Sequence, residues 1–114
     1  MTAWVKKIRE AELTPVPRMP QGGKWKRYVS QEADGRGMIF GMGSLDPGEE
    51  AGHVHVDEEL FYVLKGKGEA TWEVDGEIFR DELKPGVAFY KTSDIYHTMR
   101  NTGNEPLVGV FFKV

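Results

Sequence analysis

The feature that most limits the fold of this chain is the regular interruption of short apolar segments by turn residues. Fourteen Gly and six Pro are spread along the sequence, and the apolar segments between them are of strand length. Short segments separated by Asp-Gly, Pro-Gly and Lys-Gly pairs are typical of β-strands rather than helices. The predicted strands are Trp25–Ser30, Met38–Leu45, Glu59–Leu64, Glu69–Val74, Val87–Lys91, Ile95–Asn101 and Leu107–Val114. An all-β barrel or sandwich is therefore expected, after a short irregular N-terminal segment.

The segment Glu59–Leu64 differs from the other predicted strands because it is apolar on both faces. In Glu69–Val74, apolar and polar residues alternate, which indicates a strand with one face in water. In Glu59–Leu64, by contrast, one face carries Phe61 and Val63, and the other carries Leu60, Tyr62 and Leu64. Either this is a central strand covered by a second sheet, or a second subunit covers its outer face.

Length, charge and cysteine content exclude several classes of protein. A chain of 114 residues fits a single domain, residues 1–114. Its 15 basic and 18 acidic residues give a net charge of −3, which argues against a nucleic-acid surface. No apolar run approaches the roughly 18 residues of a membrane span. The absence of cysteine excludes thiol nucleophiles, iron–sulfur clusters and disulfides, and it fits a cytoplasmic protein.

Three histidines and one glutamate form a candidate metal site. On a strand, His53 and His55 would point to the same face, about 7 Å apart along the backbone. Glu59 keeps the same parity, and His97 lies on another predicted strand. Three imidazoles and one carboxylate suit a divalent transition metal (Fe, Mn, Ni, Co, Cu or Zn) better than Ca or Mg. Taken alone, however, a histidine is more often an ordinary hydrogen-bonded residue.

The surroundings of these histidines resemble the first motif of the cupin family, over residues 47–66. In that motif a glycine and a short spacer precede His-x-His, and a Glu and then a Gly follow at fixed intervals. Here Gly48 precedes His53-Val54-His55, and Glu59 and Gly66 follow at the expected intervals. The spacer between Gly48 and His53 is one residue shorter than is usual in the family.

Residues 86–101 resemble the second cupin motif. Gly86, His97 and Asn101 stand at its spacing. Thr92 and Asp94 replace the Pro and Gly that the family has in the turn before the histidine. Those two positions shape the turn and hold no metal, so the departure concerns loop geometry. Asp tolerates the left-handed conformations of turns better than most residues.

The resemblance implies a jelly-roll β-barrel of two antiparallel sheets with a metal inside one end. It implies that the metal is held by His53, His55, Glu59 and His97. Around a six-coordinate ion, such a set leaves positions for water, substrate or dioxygen. Small single-domain cupins commonly pair, so a homodimer is expected, which would cover the outer apolar face.

Six further residues are predicted to wall the pocket or to support the ligands: Phe61, Val63, Met99, Asn101, Met38 and Phe40. Phe61, Val63 and Met99 share a face with neighbouring ligands, and Met38 and Phe40 alternate on one strand. Plain barrel core is the alternative for each apolar residue. For Asn101 the alternative is a structural role in a turn.

Two classes of function follow from the sequence. The first is a metal-dependent enzyme acting on a small organic acid, an enol or a sugar-derived substrate. Within it, dioxygenase chemistry is slightly favoured over decarboxylase, isomerase or lyase chemistry because few acid–base residues are evident. The second is a binding module that captures a sugar or small acid without catalysis, its metal structural or absent.

Overall fold

The computed structural model describes residues 14–15, 23–30, 34–35, 37–53, 58–92 and 94–114. Within these ranges the chain forms ten strands. They are β1 (Thr14–Pro15), β2 (Lys24–Val29), β3 (Ile39–Leu45), β4 (Glu50–His53), β5 (Glu59–Lys65), β6 (Gly68–Val74), β7 (Glu77–Leu83), β8 (Ala88–Lys91), β9 (Tyr96–Asn101) and β10 (Leu107–Lys113). Apart from β1, the predicted irregular N-terminal segment lies outside the described residues.

The strands form two antiparallel sheets. One has six strands in the order β1-β2-β3-β10-β5-β8, and the other has four in the order β4-β9-β6-β7. Strands that are distant in sequence are neighbours in both sheets, as in a jelly roll. The predicted all-β fold of two antiparallel sheets is confirmed. Among the described residues, no helix has the length and apolar character needed to cross a membrane.

The turn between β6 and β7 is a two-residue hairpin. Asp75 and Gly76 both have positive φ, 52° and 79°. This combination matches the right-handed twist of the strands, and Asp-Gly is a pair that adopts it readily. The hairpin continues through Leu83, the last residue of β7.

The core lies between the sheets and is centred on aromatic rings. Trp25 packs edge-on against Phe61 and Phe111, with ring centroids 6.3 and 5.6 Å apart. Leu45, Val63, Ala70, Leu83 and Leu107 are almost fully buried around them. In β5 the exposed and buried residues alternate strictly, so Phe61 and Val63 face the core as predicted.

Two glycines make the inner face of β3. Gly41 and Gly43 are buried, and a Cβ on Gly41 would lie 2.7 Å from Cζ of Phe111. A Cβ on Gly43 would overlap the indole ring of Trp25. The rings therefore occupy the space that side chains of β3 would otherwise fill. The bulky residues next to these glycines, Phe40 and Met42, consequently lie on the opposite, outer face.

The placement of Met38 and Phe40 therefore differs from the expectation that they line the pocket. They are 40% and 36% exposed, and Phe40 packs against Tyr28 with ring centroids 5.5 Å apart. Ile39, which has the opposite parity, faces inward instead. The sequence analysis placed Met38 and Phe40 on the inner face because their side chains are large. The aromatic rings packed against β3 instead leave room only for glycine on that face.

The outer face of β5 is apolar and exposed. Leu60, Tyr62 and Leu64 are 37%, 40% and 49% exposed, and they share one face as predicted. In the described part of the chain, the four-stranded sheet packs against the other face of β5, on which Phe61 and Val63 are buried.

Candidate metal centre

Glu59 and His97 come together between the two sheets. Glu59 is the first residue of β5 in the six-stranded sheet, and His97 is the second residue of β9 in the four-stranded sheet. Both side chains face inward by strand alternation, and the residues are 5% and 1% exposed. The Nε2 atom of His97 lies 3.0 Å from Oε1 of Glu59. The structure thus brings together two of the four predicted ligands.

The ring of His97 is oriented by its other nitrogen and by an aromatic neighbour. Nδ1 lies 3.5 Å from the carbonyl oxygen of Ile95, and the ring of Phe89 lies 6.0 Å away. A contact of Nδ1–H with a backbone carbonyl favours the tautomer whose Nε2 lone pair is available to a cation.

The turn before His97 contains one of the residues that depart from the second motif. Asp94, which replaces the family's glycine, has φ 62°. This is the left-handed conformation, which Asp adopts more easily than most residues other than Gly. The substitution therefore keeps a glycine-like turn.

In the strand register, Glu59 stands between lysines of two neighbouring strands. The register pairs Glu59 with Lys113 of β10 on one side and with Lys91 of β8 on the other. Lys113 Nζ lies 3.3 Å from Oε2, so the two carboxylate oxygens face different groups. Lys91 is buried, and its Nζ donates to the carbonyl of Thr92 at 3.0 Å.

The other two predicted ligands are placed only in part. The backbone of His53 ends β4, and the register pairs it with His97 of β9. The side chain of His53 and the whole of His55 lie outside the described residues. Among the residues that are described, no group of three or more His, Cys, Asp or Glu side chains forms a metal site.

The donor atoms of Glu59 and His97 fit a transition-metal ion. Two ligands at right angles, each about 2.1 Å from an ion, have donor atoms about 3.0 Å apart. Nε2 and Oε1 are separated by that distance. An imidazole nitrogen and a carboxylate oxygen also form the mixed donor set that Fe, Mn, Ni, Co, Cu and Zn accept.

A small cavity of about 30 Å³ lies beside the pair. That volume accepts about two water-sized groups. Apolar groups form part of its wall, among them Trp25, Met99 and Phe111. Phe61 and Val63 are buried in the core rather than in this wall.

Asn101 holds the turn that connects β9 and β10. Its Nδ2 donates to the carbonyls of Leu45 and Glu105 at 2.8 and 2.7 Å, and its Oδ1 accepts from the N–H of Gly103 at 2.8 Å. Both amide hydrogens are thereby used by backbone carbonyls. The structure shows the turn role that the sequence left as one of two alternatives.

Sequence reasoning missed two basic residues of the cavity, Arg27 and Lys113. Strand alternation places Arg27 on the same inner face as Trp25, and Lys113 on the same inner face as Phe111. The signal that would have found them is a basic residue at the inward position of an otherwise apolar strand face.

Comparisons with known proteins agree with this fold. A family model for the cupin domain matches residues 41–112. No curated protein matches the sequence. A solved structure of a predicted oxalate decarboxylase from Thermotoga maritima is 26% identical, with a TM-score of 0.74. The alignment covers 96% of this chain and 98% of that one.

Two further solved structures share the fold at lower identity. An oxalate decarboxylase of Bacillus subtilis is 24% identical with a TM-score of 0.78, over 92% of this chain and 28% of that one. The CENP-C cupin domain of Drosophila melanogaster is 16% identical with a TM-score of 0.74, over 90% of this chain and 71% of that one. The family match spans most of the described strands and both histidine motifs, and the chain therefore belongs to the cupin family.

Proposed function

We propose that this cupin is a metal-dependent enzyme that acts on a small organic acid. A divalent transition metal would be held by His53, His55, Glu59 and His97. The observation that carries the proposal is the buried contact of Glu59 with His97, at the distance of two adjacent ligands and beside a cavity. The backbone pairing of His53 with His97 supports a third ligand there.

When bound, the metal would act as a Lewis acid and as a template for a chelating substrate. The residues of the chain prepare that site. Glu59 supplies an anionic oxygen toward His97, while the second oxygen faces the ammonium of Lys113. Trp25 and Phe111 in the wall restrict water, which strengthens electrostatic interactions inside the cavity.

The size of the cavity and the similar structures support a small acid as the substrate. A space of about 30 Å³ holds only about two water-sized groups, so a substrate that reaches the ion must be very small. The Thermotoga maritima protein, similar over nearly its whole length, is named as a predicted oxalate decarboxylase. Decarboxylation and dioxygenase-type cleavage are the two reactions that we retain for this site.

The first experiment is metal analysis of protein purified without added metal and without nickel resin. We expect about one transition-metal ion per chain, and none in the double variant His53→Ala/His55→Ala. Carbon dioxide release and oxygen uptake from small carboxylic acids then separate decarboxylase from dioxygenase chemistry. A full complement of metal in the double variant would show that the ligand assignment is wrong.

A binding module without catalysis is the second candidate. It is favoured by the small cavity, which accommodates an ion and little else. A catalytic ion needs at least one exchangeable water, whereas a closed ligand shell is typical of structural sites. Water-proton relaxation by manganese-loaded protein distinguishes the two, because only an ion with an exchanging water relaxes the solvent strongly.

We also propose that the chain forms a homodimer through the outer face of the six-stranded sheet. Leu60, Tyr62 and Leu64 form an exposed apolar patch there, with Tyr90 of the adjacent strand 56% exposed beside it. Contiguous apolar patches of this kind are typical of protein–protein contacts. The cytoplasmic location stays a prediction from the absence of cysteine.

A further inference from the structure

The two carboxylate oxygens of Glu59 face two different groups. Oε1 lies 3.0 Å from Nε2 of His97, on the side of the candidate metal centre. Oε2 lies 3.3 Å from Nζ of Lys113, whose side chain is 20% exposed against 6% for Glu59. Water therefore screens this ion pair less than it screens a pair on the open surface. A positive charge thus lies next to a predicted ligand of a cation.

The fold holds the ammonium of Lys113 in this place. Lys113 is the last residue of β10, and the register sets it beside Glu59 on β5. Its Nζ also lies 5.5 Å from the centroid of the Phe111 ring, within the range of a cation–π contact. The strand pairing fixes the backbone, and the carboxylate and the ring both attract the ammonium. The charge therefore has a defined position relative to Glu59.

A charge in this position has two effects on a cation bound at Glu59 and His97. The ammonium repels a divalent ion, and it offsets part of the negative charge by which Glu59 attracts that ion. It also makes Oε2 less available, although a carboxylate can bind a metal through one oxygen or through both. Both effects would disappear if the ammonium were removed while the apolar stem stayed in place.

We propose that Lys113 is a positioning residue that keeps Glu59 a one-oxygen ligand and lowers the affinity of the centre for its metal. The inference rests on the proposed function, because it requires a metal at this centre. With Oε2 turned to Lys113, one coordination position stays available to an exchangeable water. Such a position distinguishes a catalytic ion from a structural one.

Lys113→Met tests the charge, because methionine keeps an apolar stem over the ring of Phe111 and has no ammonium. Manganese(II) is titrated into metal-free protein, and the free ion is measured by electron paramagnetic resonance. We expect Lys113→Met to bind manganese at least about tenfold more tightly than the unmodified protein. The variant should also relax water protons less, because Oε2 displaces an exchanging water. Lys113→Arg keeps the positive charge and should restore both values.

The matched control is Lys65→Met, which makes the same change of charge at an exposed position. Lys65 is the last residue of β5 and Glu59 the first, so roughly 20 Å separate them along the strand. That exceeds the Debye length of about 8 Å, so manganese binding should not change. Thermal unfolding of the metal-free proteins shows whether each variant is folded, and Lys113→Gln takes the place of Lys113→Met if methionine prevents folding.

Equal or weaker manganese binding by the folded Lys113→Met variant would overturn the inference, because loss of a merely structural ion pair would loosen Glu59 and weaken the site. Water relaxation that is unchanged or stronger would do the same. An arginine variant that binds as tightly as the methionine variant would refute the effect of charge.

The proposed function fails in a different way. If the unmodified protein binds no metal, the proposed function and this inference are both refuted. If the unmodified protein and Lys113→Met bind manganese equally, the proposed function stands and this inference alone is refuted.

Discussion

Replacing Asn101 tests whether this residue supports the turn or the metal. The amide makes three hydrogen bonds of 2.7–2.8 Å, to Leu45, Gly103 and Glu105, and the residue is 1% exposed. Each buried hydrogen bond contributes about 1 kcal/mol net. Asn101→Ala should therefore lower the free energy of unfolding by about 3 kcal/mol. For a domain of this size that is a fall in Tm of about 12 °C.

Asn101→Asp should cost more than the alanine variant at neutral pH. It would place a buried carboxylate against the two carbonyl oxygens that now accept from the amide. Asn104→Ala, an exposed change in the same turn, is the control and should alter stability by less than about 0.5 kcal/mol.

The assay is urea unfolding followed by tryptophan fluorescence, with metal per chain measured on the same samples. We expect metal content to be unchanged in the folded alanine variant. A loss of stability below about 1 kcal/mol would refute the turn reasoning. A stable variant with reduced metal content would show instead that Asn101 supports the ligands.

Three other substitutions follow from the structure. The double variant His53→Ala/His55→Ala should lose metal and remain folded, because the described core does not depend on these side chains; circular dichroism and metal analysis check it. Gly43→Ala should destabilise by about 1–3 kcal/mol because a Cβ overlaps a buried indole ring, whereas Gly37→Ala, with nothing within 4 Å, should be neutral in thermal unfolding. Light scattering should give a dimer for the unmodified protein and a monomer for Tyr62→Glu, which places charge in the exposed apolar patch; a monomer before mutation would contradict the dimer.

The predictable part of the fold was set by local features. Turn pairs such as Asp75-Gly76 fixed the ends of strands, and alternation in β5 fixed which residues face the core. The inner face of β3 was not predictable in this way. Its orientation depends on Trp25 and Phe111, whose rings come from two other strands and require glycine opposite them.

The same distinction between local features and contacts of remote residues applies to the candidate site. The motif spacing predicted Glu59 and His97, because their strand parity is a local property. The role of Lys113 depends on the register of β10 against β5, which brings together residues that are remote in sequence. A single sequence contains no local signal for that register.

The Glu59–His97 contact joins the two sheets, because each residue belongs to a different one. Separation of the sheets at this end must break the contact. A molecule that holds both side chains would therefore slow local opening, and amide protons of β5 and β9 would exchange more slowly with deuterium together. Binding in the cavity would then be detectable as a lower rate of local opening between the two sheets.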